Sequence, residues 1–108
     1  MAHYLIIESR DPFESAVARE TPELVSGLVK QGNQVTLFFI QNGVLPLRKE
    51  TEFSSVFKTL NQKQVKLLAD GFSLQERAIT EPLDEVGVID ASQLIYLLFD
   101  PQTKVIWH

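Results

Sequence analysis

The chain has 108 residues and a mass of 12.2 kDa, and with 44% hydrophobic and 22% charged residues it is typical of a single globular domain over 1–108, not of a disordered segment. Its net charge is −4 and it has no run of Lys or Arg, so nucleic acid is not an expected partner. It contains no cysteine, which excludes disulfides, thiolate metal ligands and cysteine catalysis on this chain.

Short runs of apolar and β-branched residues predict the strands. The strongest lie at 4–7, 35–40 and 65–69, and weaker runs follow at 86–89 and 104–107. In the three strongest runs the apolar residues are mostly continuous, not alternating. This pattern is typical of strands covered on both faces in a parallel sheet.

Helix signals lie between the predicted strands. Asp11 is predicted to cap one helix, and Pro22 either interrupts that helix or begins a second one capped by Thr21. An apolar face at helical spacing predicts another helix over 53–60. Ser73 and Asp90 each begin a sequence typical of a capping box, which predicts a helix after each of them.

The regular alternation of these elements predicts the fold class, which is α/β. Strand–helix–strand units form right-handed crossovers between parallel strands. We therefore expect a three-layer α/β/α sandwich with a mainly parallel sheet of about four to five strands. The final strand is either parallel to the others or an addition at the edge.

The candidate cleft lies beyond the carboxyl ends of the strands, where open parallel sheets bind ligands. The polar residues that follow the first three predicted strands, or lie one turn into the next helix, are Glu8, Ser9, Arg10, Gln41, Asn42, Gly43, Asp70, Gly71, Ser73 and Arg77.

Most of these residues also have a structural interpretation. Asn42-Gly43 is typical of a turn, Ser73 of a helix cap, and Gly71 of a strand-to-helix turn in which glycine adopts a positive φ. Glu8 is either the partner of an arginine, Arg10 or Arg77 being available, or an acid/base group in a cleft.

Other sites are not indicated. No glycine-rich nucleotide-binding loop follows the first strand, no Ser–His–Asp triad is recognisable, and no cofactor is expected. His3 begins the first strand and His108 follows the last, so in parallel strands they lie at opposite ends of the sheet and make a poor metal site. The apolar runs are too short to span a membrane, and the first residues lack the features of a signal peptide, so we expect a cytoplasmic protein with no membrane partner.

The segments 8–15, 32–44 and 73–79, in this order around the predicted strands, resemble the DsrE/DsrF-like family, and Ile106-Trp107 also fits. The resemblance spans most of the chain. It implies a small α/β/α protein that assembles as a homotrimer or hexamer, or as a hetero-hexamer with paralogues.

Sulfur-relay members of that family carry a persulfide on a cysteine at the end of the third strand, and Asp70 aligns with that position. A carboxylate cannot attack and then release a sulfane sulfur as a thiolate does. Sulfur transfer by this chain alone is therefore not expected. Because Asp70 ends a strand and faces the predicted cleft, its replacement by cysteine is expected to leave the fold intact.

Three hypotheses for function follow. The chain is a non-catalytic oligomeric binding or partner protein, or a subunit of a complex in which a cysteine-bearing paralogue supplies the thiol, or an enzyme that uses Asp70 or Glu8 as acid/base. Self-association is also expected for a reason independent of the family resemblance. Several phenylalanines outside the strands form more apolar surface than a monomer of this size readily covers. These are Phe13, Phe53, Phe57, Phe72 and Phe99.

Overall fold

A five-stranded parallel sheet lies at the centre of the molecule, as the sequence predicts. The computed structural model describes residues 2–108. The strands are β1 His3–Glu8, β2 Gln34–Phe39, β3 Lys66–Asp70, β4 Val86–Ile89 and β5 Thr103–Trp107. Their order in the sheet is β4-β3-β2-β1-β5, and every neighbouring pair is parallel. The two weaker runs of the sequence are thus the two edge strands.

The three central strands are buried on both faces. Ile6 of β1 pairs with Leu37 of β2, which pairs in turn with Leu67 of β3, and all three are at most 2% exposed. Burial of such side chains contributes roughly 1.5–3 kcal/mol each. The continuous apolar runs therefore form strands because only a doubly covered sheet removes both of their faces from water.

The helices occupy the connections between the strands. They are α1 Ala16–Arg19, α2 Thr21–Lys30, α3 Ser54–Gln62, α4 Gly71–Glu76 and α5 Ala91–Leu98, with a 3-10 segment at Gln41–Leu47 between β2 and α3. None of the helices within residues 2–108 has the length and apolar character needed to cross a membrane.

The two faces of the sheet are covered unequally. The larger core lies under α2, α3, α4 and the 3-10 segment, with Val25, Phe57 and Leu74 among its buried members. The second core is small, and it is covered by α5, whose Leu94 and Leu97 pack against it. No residue of α5 is fully buried, so the second face is the less completely covered one.

Two predicted helix starts are corrected by the structure. Asp11 does not cap a helix, because its Oδ1 accepts the backbone N–H of Phe13 (2.9 Å) in a local turn, and Ser15 caps α1 instead. Ser73 does not cap α4 either, since Asp70 takes that role three positions before the one expected from the sequence. Pro22 lies in the first turn of α2, which supports the alternative of a second helix; Thr21 is its first residue and not its cap, because the N-cap position is that of Glu20. The capping box at Asp90 is confirmed, with Gln93 as its reciprocal partner.

Two glycine predictions are also corrected. Gly71 is the first residue of α4 and has no positive φ, because the turn from β3 is made by Asp70 in an extended conformation. Asn42 and Gly43 lie within the 3-10 segment and do not form an isolated turn; the positive φ belongs to Gln41, at 54°.

Candidate functional site

The strand order reverses beside β1, and this reversal places a candidate site at the carboxyl end of the sheet. The chain proceeds from β1 through β2 and β3 to β4, then crosses back to place β5 on the free side of β1. Ligands of open α/β sheets bind at such a switch point. The residues at this point are Glu8, the last of β1, and His108, which directly follows β5.

Glu8, Thr21 and His108 form a hydrogen-bonded cluster there. The hydroxyl of Thr21 donates to Glu8 Oε1, and His108 Nδ1 lies 2.7 Å from the same hydroxyl oxygen and 3.2 Å from Glu8 Oε1. Glu8 Oε2 accepts the backbone N–H of Arg10 at 3.2 Å. Glu8 and Thr21 are each 3% exposed, and 19% of the His108 side chain is accessible.

The cluster fixes the orientation of the imidazole. Thr21 has a single hydroxyl proton, and its donation to Glu8 leaves the oxygen to accept from the Nδ1–H of His108. The other ring nitrogen, Nε2, is then the one that can accept a proton when the ring is neutral. The arrangement thus places an oriented imidazole beside a buried carboxylate.

The predicted arginine partner of Glu8 is not found, because both arginines are occupied or directed elsewhere. Arg10 is exposed and contributes only its backbone N–H. Arg77 donates through Nε (3.1 Å) and Nη2 (3.0 Å) to Asn42 Oδ1, and through Nη1 to the carbonyl of Ser73 (3.1 Å). The side chains that contact the Glu8 carboxylate are those of Thr21 and His108 instead.

A second cluster lies at the carboxyl end of β3. Asp70 Oδ2 accepts the backbone N–H of Ser73 (3.0 Å) and its hydroxyl (2.6 Å), and the Ser73 oxygen accepts the backbone N–H of Gln41 (2.8 Å). Asp70 is 9% exposed and Ser73 3%. The cluster joins the end of β3 to the loop after β2, and the bonds of Arg77 to Asn42 reinforce the same junction.

The clusters of Glu8 and Asp70 face opposite sides of the sheet. Glu8 pairs with Phe39, and Phe39 pairs with Ala69, so these three side chains share the face of the larger core. Asp70 follows Ala69, and its side chain therefore points to the other face. The predicted cleft residues thus divide into two groups that do not meet in one cavity.

Gly43 supports the first cluster sterically. A Cβ at this position would clash with the backbone of Glu8, whose carbonyl carbon would lie 2.9 Å away. The 3-10 segment can approach the end of β1 only because this residue is glycine. Gly43 is thus a structural residue of the site.

Asp70 borders an open groove of about 600 Å³ that lies between the start of α4 and α5. Its walls include the apolar side chains of Ile40, Phe72 and Leu94, and its two carboxylates are those of Asp70 and Asp90. Both carboxylates cap helices, so the groove is a surface for apolar contact with acidic groups already engaged in hydrogen bonds.

His3 lies at the other end of the sheet, as predicted. One of its ring nitrogens is 2.9 Å from the Thr36 hydroxyl and the other 3.3 Å from that of Thr103. Within residues 2–108 no group of three His, Cys, Asp or Glu side chains is arranged to hold a metal ion.

Thr21 and His108 are the cluster residues that were missing from the predicted cleft. A signal for His108 was available, since a polar residue directly after a parallel strand lies at the carboxyl edge of the sheet. Thr21 carried no comparable signal. It is the first residue of α2, and the residue that it contacts, Glu8, lies 13 positions earlier, at the end of β1.

Comparison with known proteins agrees with this architecture. Residues 2–107 match the family model described as the DsrE/DsrF-like family. Among solved structures, the chain is similar to the ychN protein from E. coli, with a TM-score of 0.89 and 17% identity. It is also similar to a protein of unknown function from Methanobacterium thermoautotrophicum, with a TM-score of 0.76 and 16% identity. Both pairs are covered over 100% of each chain, which at these identities shows a shared fold. No curated protein matches the sequence significantly.

Proposed function

Because the chain belongs to the DsrE/DsrF-like family, we propose that it is a non-catalytic, oligomeric binding protein related to the family's sulfur-relay members. The observation that carries the proposal is the position and the hydrogen bonding of Asp70. This residue ends β3, where the family resemblance places the carrier cysteine, and its carboxylate caps α4. The chain has no cysteine elsewhere to replace that thiol.

The hydrogen bonds of Asp70 favour a structural role. Its Oδ2 accepts two bonds from Ser73, and an N-cap of this kind stabilises a helix by about 0.5–2 kcal/mol. An acid/base group would need a proton to move to or from a substrate, whereas this oxygen satisfies a helix terminus. The position keeps the local fold of the family while lacking the thiolate that sulfur transfer requires.

The exposed apolar surface supports oligomerisation. Large apolar side chains on α5 and β5 are between 41% and 81% exposed: Ile95, Tyr96, Leu98, Phe99, Val105 and Trp107. They lie where the sheet has a single covering helix. An apolar surface of this kind usually marks an interface. We propose that it associates with copies of the same chain to form a homotrimer or hexamer.

The phenylalanines outside the strands divide between the core and this surface side. Phe57 is 3% exposed, and Phe13 and Phe53 pack edge to face with ring centroids 5.0 Å apart. Phe72 and Phe99 are 66% and 79% exposed. The first group fills the helical layer, and the second remains available for contact with another subunit.

A sulfur-loading assay tests the absence of catalysis. The purified protein is incubated with a labelled polysulfide donor, separated from it, and the bound sulfane sulfur is measured. We expect no bound label on the wild type, and label on Asp70→Cys as the positive control. Label that moves from the wild-type chain alone to an acceptor thiol would contradict the proposal.

The oligomeric state is tested by light scattering after size exclusion, with Trp107 as an internal probe. Trp107 is the only tryptophan in the sequence and is 65% exposed in the single chain. We expect a mass three or six times 12.2 kDa, and tryptophan emission that shifts to longer wavelength on dilution as the oligomer dissociates.

A matched pair of variants locates the interface. Tyr96→Glu places a charge on the exposed α5 surface and is expected to produce monomers, whereas Leu24→Glu, on the opposite face of the sheet, leaves the oligomer intact. Tyr96 and Leu24 are 81% and 37% exposed, so neither change disturbs a buried side chain. A wild-type mass of 12.2 kDa would contradict self-association.

Mixing experiments distinguish the main alternative, a subunit that works beside a cysteine-bearing paralogue. If the chain elutes as a mixed oligomer with such a relative, and the mixture transfers sulfur, that alternative is favoured. The acid/base alternative has its best support at Glu8, since Thr21 and His108 surround that carboxylate, and not at Asp70.

A further inference from the structure

A second surface, independent of the proposed oligomer interface, lies between α2 and α3. These helices cover the larger core and therefore lie on the opposite face of the sheet from α5. The groove between them has a volume of about 690 Å³ and is open to solvent. Both helices return from the carboxyl to the amino edge of the sheet, so they run in the same direction and their carboxyl ends lie side by side.

The groove has an apolar floor and low walls. Phe53, Val56 and Leu60 supply the floor, and Gly27 and Ser55 lie on the walls. Leu60 is 2% exposed and already belongs to the core. The cross-section is thus that of a channel with room above an apolar base, which is the shape that receives the apolar side chains of a helix.

Gly27 keeps this channel open, and no internal contact requires it. A Cβ at this position would meet no atom within 4 Å, and its φ is not in the left-handed region. Glycine within a helix is less stable than alanine by about 1 kcal/mol. The residue therefore weakens α2 without a compensating contact in the folded chain, whereas access to the groove depends on its lack of a side chain.

The charges on the rim are opposite in sign to those of the whole protein. Arg19, Lys30 and Lys63 line the groove and Glu23 is the only carboxylate among its lining residues, although the chain carries a net charge of −4. Within residues 2–108, neither Lys30 nor Lys63 has a carboxylate within 4.0 Å. Lys30 ends α2 and Lys63 follows α3, so both ammonium groups lie at the same end of the groove.

We propose that this groove binds an amphipathic helix of a partner protein that carries carboxylates beside its apolar stripe. Apolar side chains of that helix pack on Val56 and Phe53 over Gly27, and its carboxylates pair with Lys30 and Lys63. The low walls favour a helix over a small molecule, because small-molecule sites enclose most of the ligand surface. The positive charges of Lys30 and Lys63 favour an acidic helix over a basic one.

Two synthetic peptides test the proposal. Each has about 18 residues, long enough to form helix in isolation, with leucines at helical spacing; one carries glutamates on the flanking positions and the other lysines. Binding to the full-length protein is measured by fluorescence anisotropy. We expect the glutamate peptide to bind at least tenfold more tightly than the lysine peptide, and this preference to shrink as salt rises.

Variants of the groove identify the site. Gly27→Leu fills the channel and is expected to abolish binding while raising helix stability, so unfolding does not account for the loss. Lys30→Glu with Lys63→Glu is expected to weaken the glutamate peptide at least tenfold and to strengthen the lysine peptide. Lys58→Glu is the matched control, because Lys58 is on α3 but borders a different pocket.

Several results would overturn the proposal. They are equal binding of the two peptides, no binding of either, or unchanged affinity in Gly27→Leu. Sedimentation with phosphatidylserine vesicles that depends on Lys30 and Lys63, without peptide binding, would assign the groove to an anionic membrane surface and overturn the proposal as well. The oligomer variants Tyr96→Glu and Leu24→Glu do not touch this groove's floor, so the two proposals fail separately.

Discussion

Replacement of Asp70 tests whether this position is a structural cap. Asp70→Ala removes the acceptor for both hydrogen bonds from Ser73, whereas Asp70→Asn keeps an oxygen in the same place. Asparagine and aspartate are about equally good helix caps. The pair therefore separates loss of the cap from loss of the charge.

The magnitude follows from the two bonds. Loss of an N-cap destabilises a helix by about 0.5–2 kcal/mol. Ser73 is 3% exposed and its hydroxyl loses its acceptor as well, and an unsatisfied buried polar group costs about 1–3 kcal/mol. We expect Asp70→Ala to lower the free energy of unfolding by about 2–3 kcal/mol, and Asp70→Asn by less than about 1 kcal/mol.

Urea and thermal unfolding at one fixed protein concentration measure the difference. For a domain of this size a loss of about 2–3 kcal/mol lowers Tm by about 8–15 °C. Asp70→Cys also loses the carboxylate, and we expect it to keep the fold but with lower stability than the wild type. If Asp70→Ala were as stable as the wild type, or Asp70→Asn as unstable as Asp70→Ala, the capping argument would be refuted.

Three further predictions concern the core, the close approach of the 3-10 segment, and a helix cap. Phe57→Ala is expected to cost about 3–5 kcal/mol by urea unfolding, because the ring is 3% exposed in the larger core; a cost under about 1 kcal/mol would contradict that packing. Gly43→Ala is expected to destabilise by about 1–3 kcal/mol, since its Cβ would clash with backbone, whereas Gly27→Ala stabilises by about 1 kcal/mol; equal effects of the two would contradict the steric argument. The Ser92 hydroxyl, followed by a backbone N–H, holds the pKa of Asp90 below its ordinary value of 3.8. The stabilisation from this carboxylate is therefore complete above about pH 3.8 and is lost as pH falls through the lower folded pKa. An NMR titration of Asp90 with a midpoint at or above 3.8 would contradict this.

The fold was predictable because its strands need no long-range information to be recognised. The runs at 35–40 and 65–69 are apolar on both faces, and only a covered parallel sheet accommodates that pattern. Even the weak run at 86–89 has the bounds of β4, Val86–Ile89. Right-handed crossovers then restrict the possible arrangements of these strands.

Helix starts were less predictable where two capping residues compete. Asp70 and Ser73 are three positions apart in the sequence, and both residue types are good helix caps. The Ser73 hydroxyl is engaged by Asp70 and by the backbone N–H of Gln41, 32 positions earlier in the chain. That long-range bond decides the competition, and a local sequence rule does not contain it. Asp90 has no such competitor, and its capping box was predicted correctly.

The candidate site was predictable as an edge of the sheet but not as a set of contacts. Glu8 follows from the end of the first strand, yet its partners lie 13 and 100 positions away. The face on which each side chain lies depends on strand register, because a shift of one residue reverses it. The sequence therefore grouped Glu8 with Asp70, which the sheet separates.

This separation places the two clusters on opposite faces of the sheet. Asp70 acts on the α5 side of the sheet, where the capped start of α4 borders the less covered face. Glu8, Thr21 and His108 lie at the switch point and on the α2 side, and none of their hydrogen bonds involves Asp70 or Ser73. A substitution of Asp70 at the end of β3 is therefore expected to leave the hydrogen bonds of the switch-point cluster in place. The two clusters share no direct hydrogen bond, but the 3-10 segment contacts both, through Gly43 at Glu8 and Gln41 at Ser73. The additivity of substitutions in the two clusters therefore measures how strongly that segment couples them.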